Sequence, residues 1–178
     1  MKLSNEQLAA RVEVVVFDVD GVLTRGEIIF AGPDLELKIF HVQDGQGFTL
    51  ARRAGLQLAL ITGRSSEAVR RRAAELQVDV LMEGQARKGA ALCELMAKLS
   101  VKPEQVCYVG DDLADLPALA LAGFPVAVAN AVEEVKAAAR VETERRGGEG
   151  AAREVIEYIL KAKGQWASMV QAYEEDAS

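Results

Sequence analysis

The residues best suited to chemistry are acidic, and they come in pairs. Asp18 and Asp20 stand two apart where the apolar run VEVVVF ends, and Asp111 and Asp112 are adjacent in YVGDDLAD. Carboxylates at the exit of so apolar a strand call for a cation, a proton or a phosphoryl group beside them. Oxygen ligands of this kind suit Mg²⁺ rather than zinc. The chain also offers Thr62 and Arg64 in ITGR, and Lys88 at the head of an apolar helical pattern. A hydroxyl, a guanidinium and an ammonium are phosphate-binding groups. Carboxylates, Mg²⁺ and a cationic anchor together describe phosphoryl transfer.

Other routes to that chemistry have nothing to draw on. A cysteine nucleophile needs an arginine closing the same loop, yet the residues six positions beyond Cys93 and Cys107 are Leu99 and Leu113. A histidine mechanism uses two histidines, and only His41 is present. No glycine-rich loop ends in Gly-Lys-Ser/Thr, which excludes a P-loop ATPase or kinase. The strong oxygen nucleophile that remains is an aspartate.

The elements that must position these groups follow from hydrophobic patterning. Val12 to Phe17 is a continuous apolar strand of the kind covered on both faces. Further strands are predicted at 56–62, 78–82, 106–109 and 124–128, with a short strand or turn at 140–144. Helices are predicted at 47–54 (ending at Gly55), from Ser65 to Leu76, and at 88–99, 113–122, 131–139 and 151–162. The segment 27–40 reads as a β-hairpin whose Leu35, Leu37 and Ile39 alternate against Glu36, Lys38 and Phe40. From about residue 163 a polar tail follows, with Trp166 as its candidate intersubunit anchor. Strand-helix repetition of this kind predicts an α/β fold, a three-layer Rossmann-like arrangement with a mostly parallel sheet. Ligands in such folds bind beyond the carboxyl ends of the strands, where Asp18, Asp20, Thr62, Arg64, Asp111 and Asp112 all fall.

Composition sets the outer bounds. The chain has 178 residues, half of them apolar, with a net charge of −6. We expect one domain over 1–178. The acidic balance argues against nucleic acid as a partner. No run approaches the ~20 apolar residues of a spanning helix, so no membrane segment is expected. Two cysteines at no metal or redox spacing, behind a start that is not a signal peptide, predict a reducing cytoplasm.

DVDGVLT at 18–24, ITGR at 61–64, Lys88 and GDDLADLP at 110–117 resemble the four ordered motifs of the haloacid dehalogenase-like superfamily. FHVQDGQG at 40–47, the arginines at 70–72 and RGGEGAAREVIEYILKAKGQW at 146–166 resemble its small capless members, the 3-deoxy-D-manno-octulosonate 8-phosphate phosphatases. The resemblance implies Mg²⁺-dependent hydrolysis of that sugar-acid phosphate, a step in lipopolysaccharide assembly. It implies Asp18 as the nucleophile that forms an aspartyl-phosphate, and Asp20 as the general acid and base. Mg²⁺ would be held by the carboxylates of Asp18 and Asp111 and by the backbone carbonyl of Asp20. Thr62 and Lys88 would hold phosphoryl oxygens, and Asp112 would orient Lys88 or a metal-bound water. The sugar acid would meet His41, Val42, Gln43, Asp44 and Gly45, with Thr49, Arg64 and Arg72. A homotetramer is implied, with hairpins or tails covering neighbouring active sites.

The chain departs from the family at two positions, with Arg25 where Asp is common and Glu149 where Arg is common. Glu149 in GGEG resembles phosphatases of nine-carbon keto-deoxy sugar acid 9-phosphates, which gives an alternative substrate. A non-catalytic sugar-phosphate-binding regulatory module is the alternative from another class; the retained Asp18, Asp20, Lys88 and Asp111 speak against it.

Overall fold

The strand that ends at the acidic pair is the centre of the sheet. In the computed structural model, which describes residues 3–32 and 35–175, β1 (Val14–Phe17) is buried along its whole length. It pairs in parallel with β4 (Gln57–Ile61) on one side and β6 (Val106–Gly110) on the other. β5 (Val80–Met82) lies outside β4, and β7 (Phe124–Ala127) and β8 (Val141–Glu142) extend the sheet beyond β6. The order is β5-β4-β1-β6-β7-β8, all parallel. Taken in chain order this is the doubly wound 3-2-1-4-5-6 arrangement, whose crevice opens where the winding reverses beside the first strand.

Helices cover both faces. α1 (Asn5–Ala9) and α2 (Val42–Arg53) pack with α7 (Ala151–Ala162), and α3 (Glu67–Glu75) lies beside α2. α4 (Lys88–Leu99), α5 (Leu116–Leu119) and α6 (Glu133–Ala138) form the other layer. Burial of β-branched and aromatic side chains between these layers drives the assembly. Phe17 of β1 stacks on Phe48 of α2 with ring centroids 5.1 Å apart.

The fold agrees with the expected mostly parallel α/β sheet without a cap domain. Among the described residues, the elements between β1 and α2 are the strands of an antiparallel hairpin, β2 (Ile29–Gly32) and β3 (Leu35–Leu37). Of the expected hairpin turn at 31–34, Ala31 and Gly32 belong to β2, and residues 33 and 34 lie outside the described residues.

Three elements depart most from the sequence expectation. α2 starts at Val42, five residues before the predicted 47, so most of the expected loop His41–Gly45 is helix. Its internal glycines are there for packing, since a Cβ on Gly45 would sit 2.5 Å from Arg72 Nη2. The predicted helix at 113–122 is a short 3₁₀ turn, Leu113–Asp115, followed by the single turn α5. The tail is a further helix, α8 (Trp166–Glu175). Trp166 is not an exposed anchor: it lies half-buried under its own chain's Arg153 and Lys161, 5.4 and 5.3 Å from their charged atoms.

Candidate active site

Strand register decides which side chains meet. Phe17 is level with Leu60 of β4 and Val109 of β6, so Asp18, Thr62 and Asp111 leave three adjacent strands at nearly one height. Gly21 makes the turn that follows: its φ is +95°, and a Cβ there would lie 2.0 Å from Asp111 Oδ2. Only glycine allows the Asp18 loop and the Asp111 carboxylate to approach this closely. Gly147 closes the same loop from outside, where a Cβ would lie 1.7 Å from the Gly21 carbonyl oxygen.

Lys88, the first residue of α4, reaches into this turn. Its Nζ is 2.8 Å from Asp18 Oδ1 and 2.7 Å from Asp115 Oδ1, and all three groups are buried. Asp115 was missed by the sequence reading, which gave the supporting role to Asp112. Asp112 is exposed and caps the 3₁₀ turn by accepting from the Leu113 N–H at 2.7 Å. Asp115 is the carboxylate that holds Lys88. It also accepts from the Tyr108 hydroxyl at 2.7 Å and from the backbone N–H groups of Asp111 at 3.0 Å and Asp112 at 3.3 Å. Its spacing of four from Asp111 was the available signal, because one helical turn returns it to the strand end.

Three carboxylates around one ammonium leave negative charge in excess. Burial, then the charge of Asp115, push Asp18 up to about 6 against the opposing pull of Lys88. Burial and the charges of Asp18 and Asp115 push Asp111 up to about 8. Burial alone would lower Lys88, but Asp18 and Asp115 outweigh it and its pKa rises.

The cluster fits a small hard cation. Asp18, Asp111 and Asp115 each offer a carboxylate oxygen, all within 4.8 Å of one another. Among the described residues Asp111 Oδ1 is buried with no hydrogen-bond partner, an orphaned acceptor that a cation satisfies. Both oxygens of Asp115 already accept hydrogen bonds, so Asp18 and Asp111 are the free donors.

The remaining expected residues divide into two groups. Thr62 is buried, with its hydroxyl oxygen accepting from the Arg64 N–H at 3.3 Å. Arg64 Nε lies 3.9 Å from Asp20 Oδ2, and Lys38, which the sequence reading had not singled out, contacts Asp20 Oδ1. The second group gathers around α2. His41 is its N-cap residue, with Nδ1 buried and unpartnered, and Val42 is exposed. Gln43 accepts from Arg145 at 3.0 Å, and Asp44 accepts from the backbone N–H of Arg153 at 2.8 Å. Burial raises the pKa of Asp44. Thr49 donates to the Gly45 carbonyl at 3.4 Å, while Arg72 donates to the His41 carbonyl and pairs with Glu75 at 2.9 Å. Among the described residues this group makes no hydrogen bond or ion pair with Asp18, Asp20 or Lys88.

The two departures from the family pattern meet each other. Arg25 Nε lies 3.1 Å from Glu149 Oε1 at the rim where the 147–148 glycines cross the Asp18 loop. The two residues carry opposite charges and pair with each other.

Comparison with known proteins agrees with this geometry. A model of the haloacid dehalogenase-like hydrolases matches residues 79–155. The chain is 41% identical over 157 residues to the 3-deoxy-D-manno-octulosonate 8-phosphate phosphatase of Escherichia coli K12, covering 88% of this chain and 84% of that one. The Haemophilus influenzae enzyme of that name is 39% identical over 160 residues, covering 90% and 89%. Among solved structures, the Moraxella catarrhalis phosphatase in complex with magnesium, phosphate and KDO superposes with a TM-score of 0.93 at 41% identity, over 95% of this chain and 97% of that one. The cobalt-bound Haemophilus influenzae phosphatase superposes at 0.87 with 39% identity, over 90% and 94%. The chain thus belongs to the 3-deoxy-D-manno-octulosonate 8-phosphate phosphatase family of haloacid dehalogenase-like hydrolases.

Proposed function

We propose that this protein hydrolyses 3-deoxy-D-manno-octulosonate 8-phosphate to the free sugar acid and inorganic phosphate, through an aspartyl-phosphate on Asp18. The observation that carries the reading is the buried Asp18 carboxylate at the end of β1, held by Lys88 at 2.8 Å within an acidic cluster that has room for a cation. Asp18 and Asp111 would hold Mg²⁺ with the Asp20 carbonyl, and the ion supplies charge neutralisation and orientation of the phosphoryl group when bound.

The chain's own residues account for the remaining steps. Lys88 and the Thr62 hydroxyl bind phosphoryl oxygens and offset their charge. An oxygen of Asp18 attacks phosphorus as the bond to the sugar oxygen breaks, and Asp20 gives that oxygen its proton. Asp20 then takes a proton from water as the water oxygen attacks phosphorus, which releases phosphate and restores Asp18. Asp115 keeps Lys88 aimed at Asp18 throughout. We assign Arg64 to the sugar, from its place beside Asp20. His41–Gly45, Thr49 and Arg72 are assigned to the sugar acid of a neighbouring subunit, because among the described residues none of them bonds to this chain's own Asp18, Asp20 or Lys88.

The eight-carbon acid is preferred over the nine-carbon one because Glu149, the residue that suggested the longer sugar, is engaged by Arg25. We further propose one catalytic domain over 1–178, a homotetramer and a cytoplasmic setting. The exposed Ile28, Phe30, Leu35, Leu37 and Ile39 of the hairpin support assembly, and the two free cysteines support a reducing compartment. The test is phosphate release from the eight- and nine-carbon substrates with Mg²⁺, for wild type and Asp18→Asn. Turnover abolished by EDTA, restored by Mg²⁺ and lost in the variant is expected. Equal rates for the two proteins would refute the reading, and a preference for the nine-carbon acid would correct the substrate. A fully active monomer by light scattering would refute the tetramer.

A further inference from the structure

The hairpin has its pattern inside out. Leu35, Leu37 and Ile39 are exposed, Ile39 by 71%, while Glu36, Lys38 and Phe40 alternate with them on the inward side. An ordinary half-covered strand turns its apolar set to the protein. Here the charged set is turned inward instead, and it faces the catalytic crevice.

The Lys38 side chain is only 1% exposed. Its ammonium contacts Asp20 Oδ1 and lies 3.0 Å from Glu36 Oε1. Glu36 in turn pairs with Arg64, whose Nε lies 3.9 Å from Asp20 Oδ2. Two acids and two bases close a ring around the carboxylate assigned to proton transfer. The Lys38 ammonium is covered while Asp20, Glu36 and Arg64 stay partly open to water, so charge-assisted contacts on both sides hold it in place. Among the described residues Lys38 and Arg64 are the side chains that engage the Asp20 carboxylate, and Lys38 is the nearer.

A group that must hand a proton to one leaving oxygen gains its effect from being held in place. A misplacement of about 1 Å costs on the order of a hundredfold in rate. Asp20 opens the turn that Gly21 completes, and its side chain is 24% exposed, so its carboxylate is held by the contacts it makes. We propose that Lys38 is the positioning residue for Asp20, supplied by the chain's own hairpin, with Glu36 keeping Lys38 and Arg64 in register. The inference rests on the phosphatase reading above. It couples the hairpin to the proton-transfer step: a displaced hairpin leaves a crevice that still holds phosphate but has no placed acid.

The discriminating readout is the leaving group. A sugar oxygen needs a proton as it departs, whereas p-nitrophenolate leaves without one. Rapid-quench measurements with Mg²⁺ would compare wild type, Lys38→Met, Lys38→Arg and Glu36→Gln on the sugar-acid phosphate and on p-nitrophenyl phosphate. Lys38→Met should slow single-turnover cleavage of the sugar-acid phosphate about a hundredfold, while the p-nitrophenolate burst falls less than about threefold. Lys38→Arg should recover most of the loss, and Glu36→Gln should show the same asymmetry at smaller size. If Lys38→Met does not fold, the Glu36→Gln asymmetry decides by the same criterion. Equal losses on both substrates, which a merely structural role would give, or no loss on the sugar-acid phosphate, would overturn the proposal. A wild-type chain that turns over neither substrate would overturn the phosphatase reading and this inference with it.

Discussion

Binding of Mg²⁺ at pH 7 should expel about one proton. Without the ion, Asp111 is pushed up to about 8 and Asp18 to about 6 by burial and by the carboxylates crowded against them. The two titrate as a coupled pair, and at pH 7 the pair together holds about one proton. A carboxylate must be deprotonated to bind the metal, so ligation releases that proton. Titration calorimetry in buffers of different ionisation heat measures the number directly, as the slope of observed against buffer enthalpy. The same shifts set the stability of the metal-free protein. Both folded-state values lie above the ordinary 3.8, so between about pH 4 and about pH 8 the native state binds more protons than the unfolded one. The contribution of these two groups to the stability of the metal-free form therefore falls as pH rises through that window and levels off above it. Asp44, also raised by burial, adds in the same direction. Added Mg²⁺ should reverse the fall, most strongly at the alkaline end. A calorimetric slope near zero, or a metal-free Tm that climbs between about pH 5 and about pH 8, would refute the electrostatic account of the cluster.

Other perturbations separate support from chemistry. Asp115→Asn removes one of the two carboxylates that hold Lys88 and leaves Asp18 as its charged partner, so it should cost on the order of 2 kcal/mol in chemical denaturation together with most of the turnover. A loss of activity at unchanged stability would place Asp115 elsewhere in the account. Arg25→Glu and Glu149→Arg should each cost no more than about 1 kcal/mol, because the pair is 62% and 40% exposed, and the double exchange should restore the loss. The same double variant should keep the eight-carbon preference of the wild type; a switch in kcat/KM toward the nine-carbon substrate would return Glu149 to the role of sugar reader. Trp166→Ala should lower Tm and loosen α8, since the indole is clasped by Arg153 and Lys161. An unchanged Tm would show the tail helix to be independent of the fold.

The acidic strand end was legible because it violates local chemistry: charge is costly behind four buried apolar residues, and only a site explains it. The helices beginning at Lys88 and at Ala151 were placed at the observed bounds, since their apolar spacing is strong and uninterrupted. What escaped did so for specific reasons. Gly45 was placed in a loop and Gly47 at the helix start, yet both glycines lie inside α2 and thin it where Arg72 and Arg153 press on it, a tertiary demand invisible to local propensity. Asp112 stands next to Asp111 in sequence and drew the supporting role, while helical geometry brings Asp115 back to Lys88. The tail carried Trp166, Met169, Val170 and Tyr173 at helical spacing, but its length and polar ends hid the pattern. Lys38 was hidden by the ordinary rule that apolar residues face inward, which this hairpin reverses.

The central claim is that Asp18 carries the phosphoryl group. The direct measurement is acid quench of a single turnover with Mg²⁺, borohydride reduction of any acyl phosphate to the alcohol, and mass spectrometry of the peptide spanning residues 12–24. Conversion of Asp18 to homoserine in wild type, absent from Asp18→Asn and from unreacted enzyme, is the predicted result. Reduction at another residue, or sustained turnover by Asp18→Asn, would contradict it.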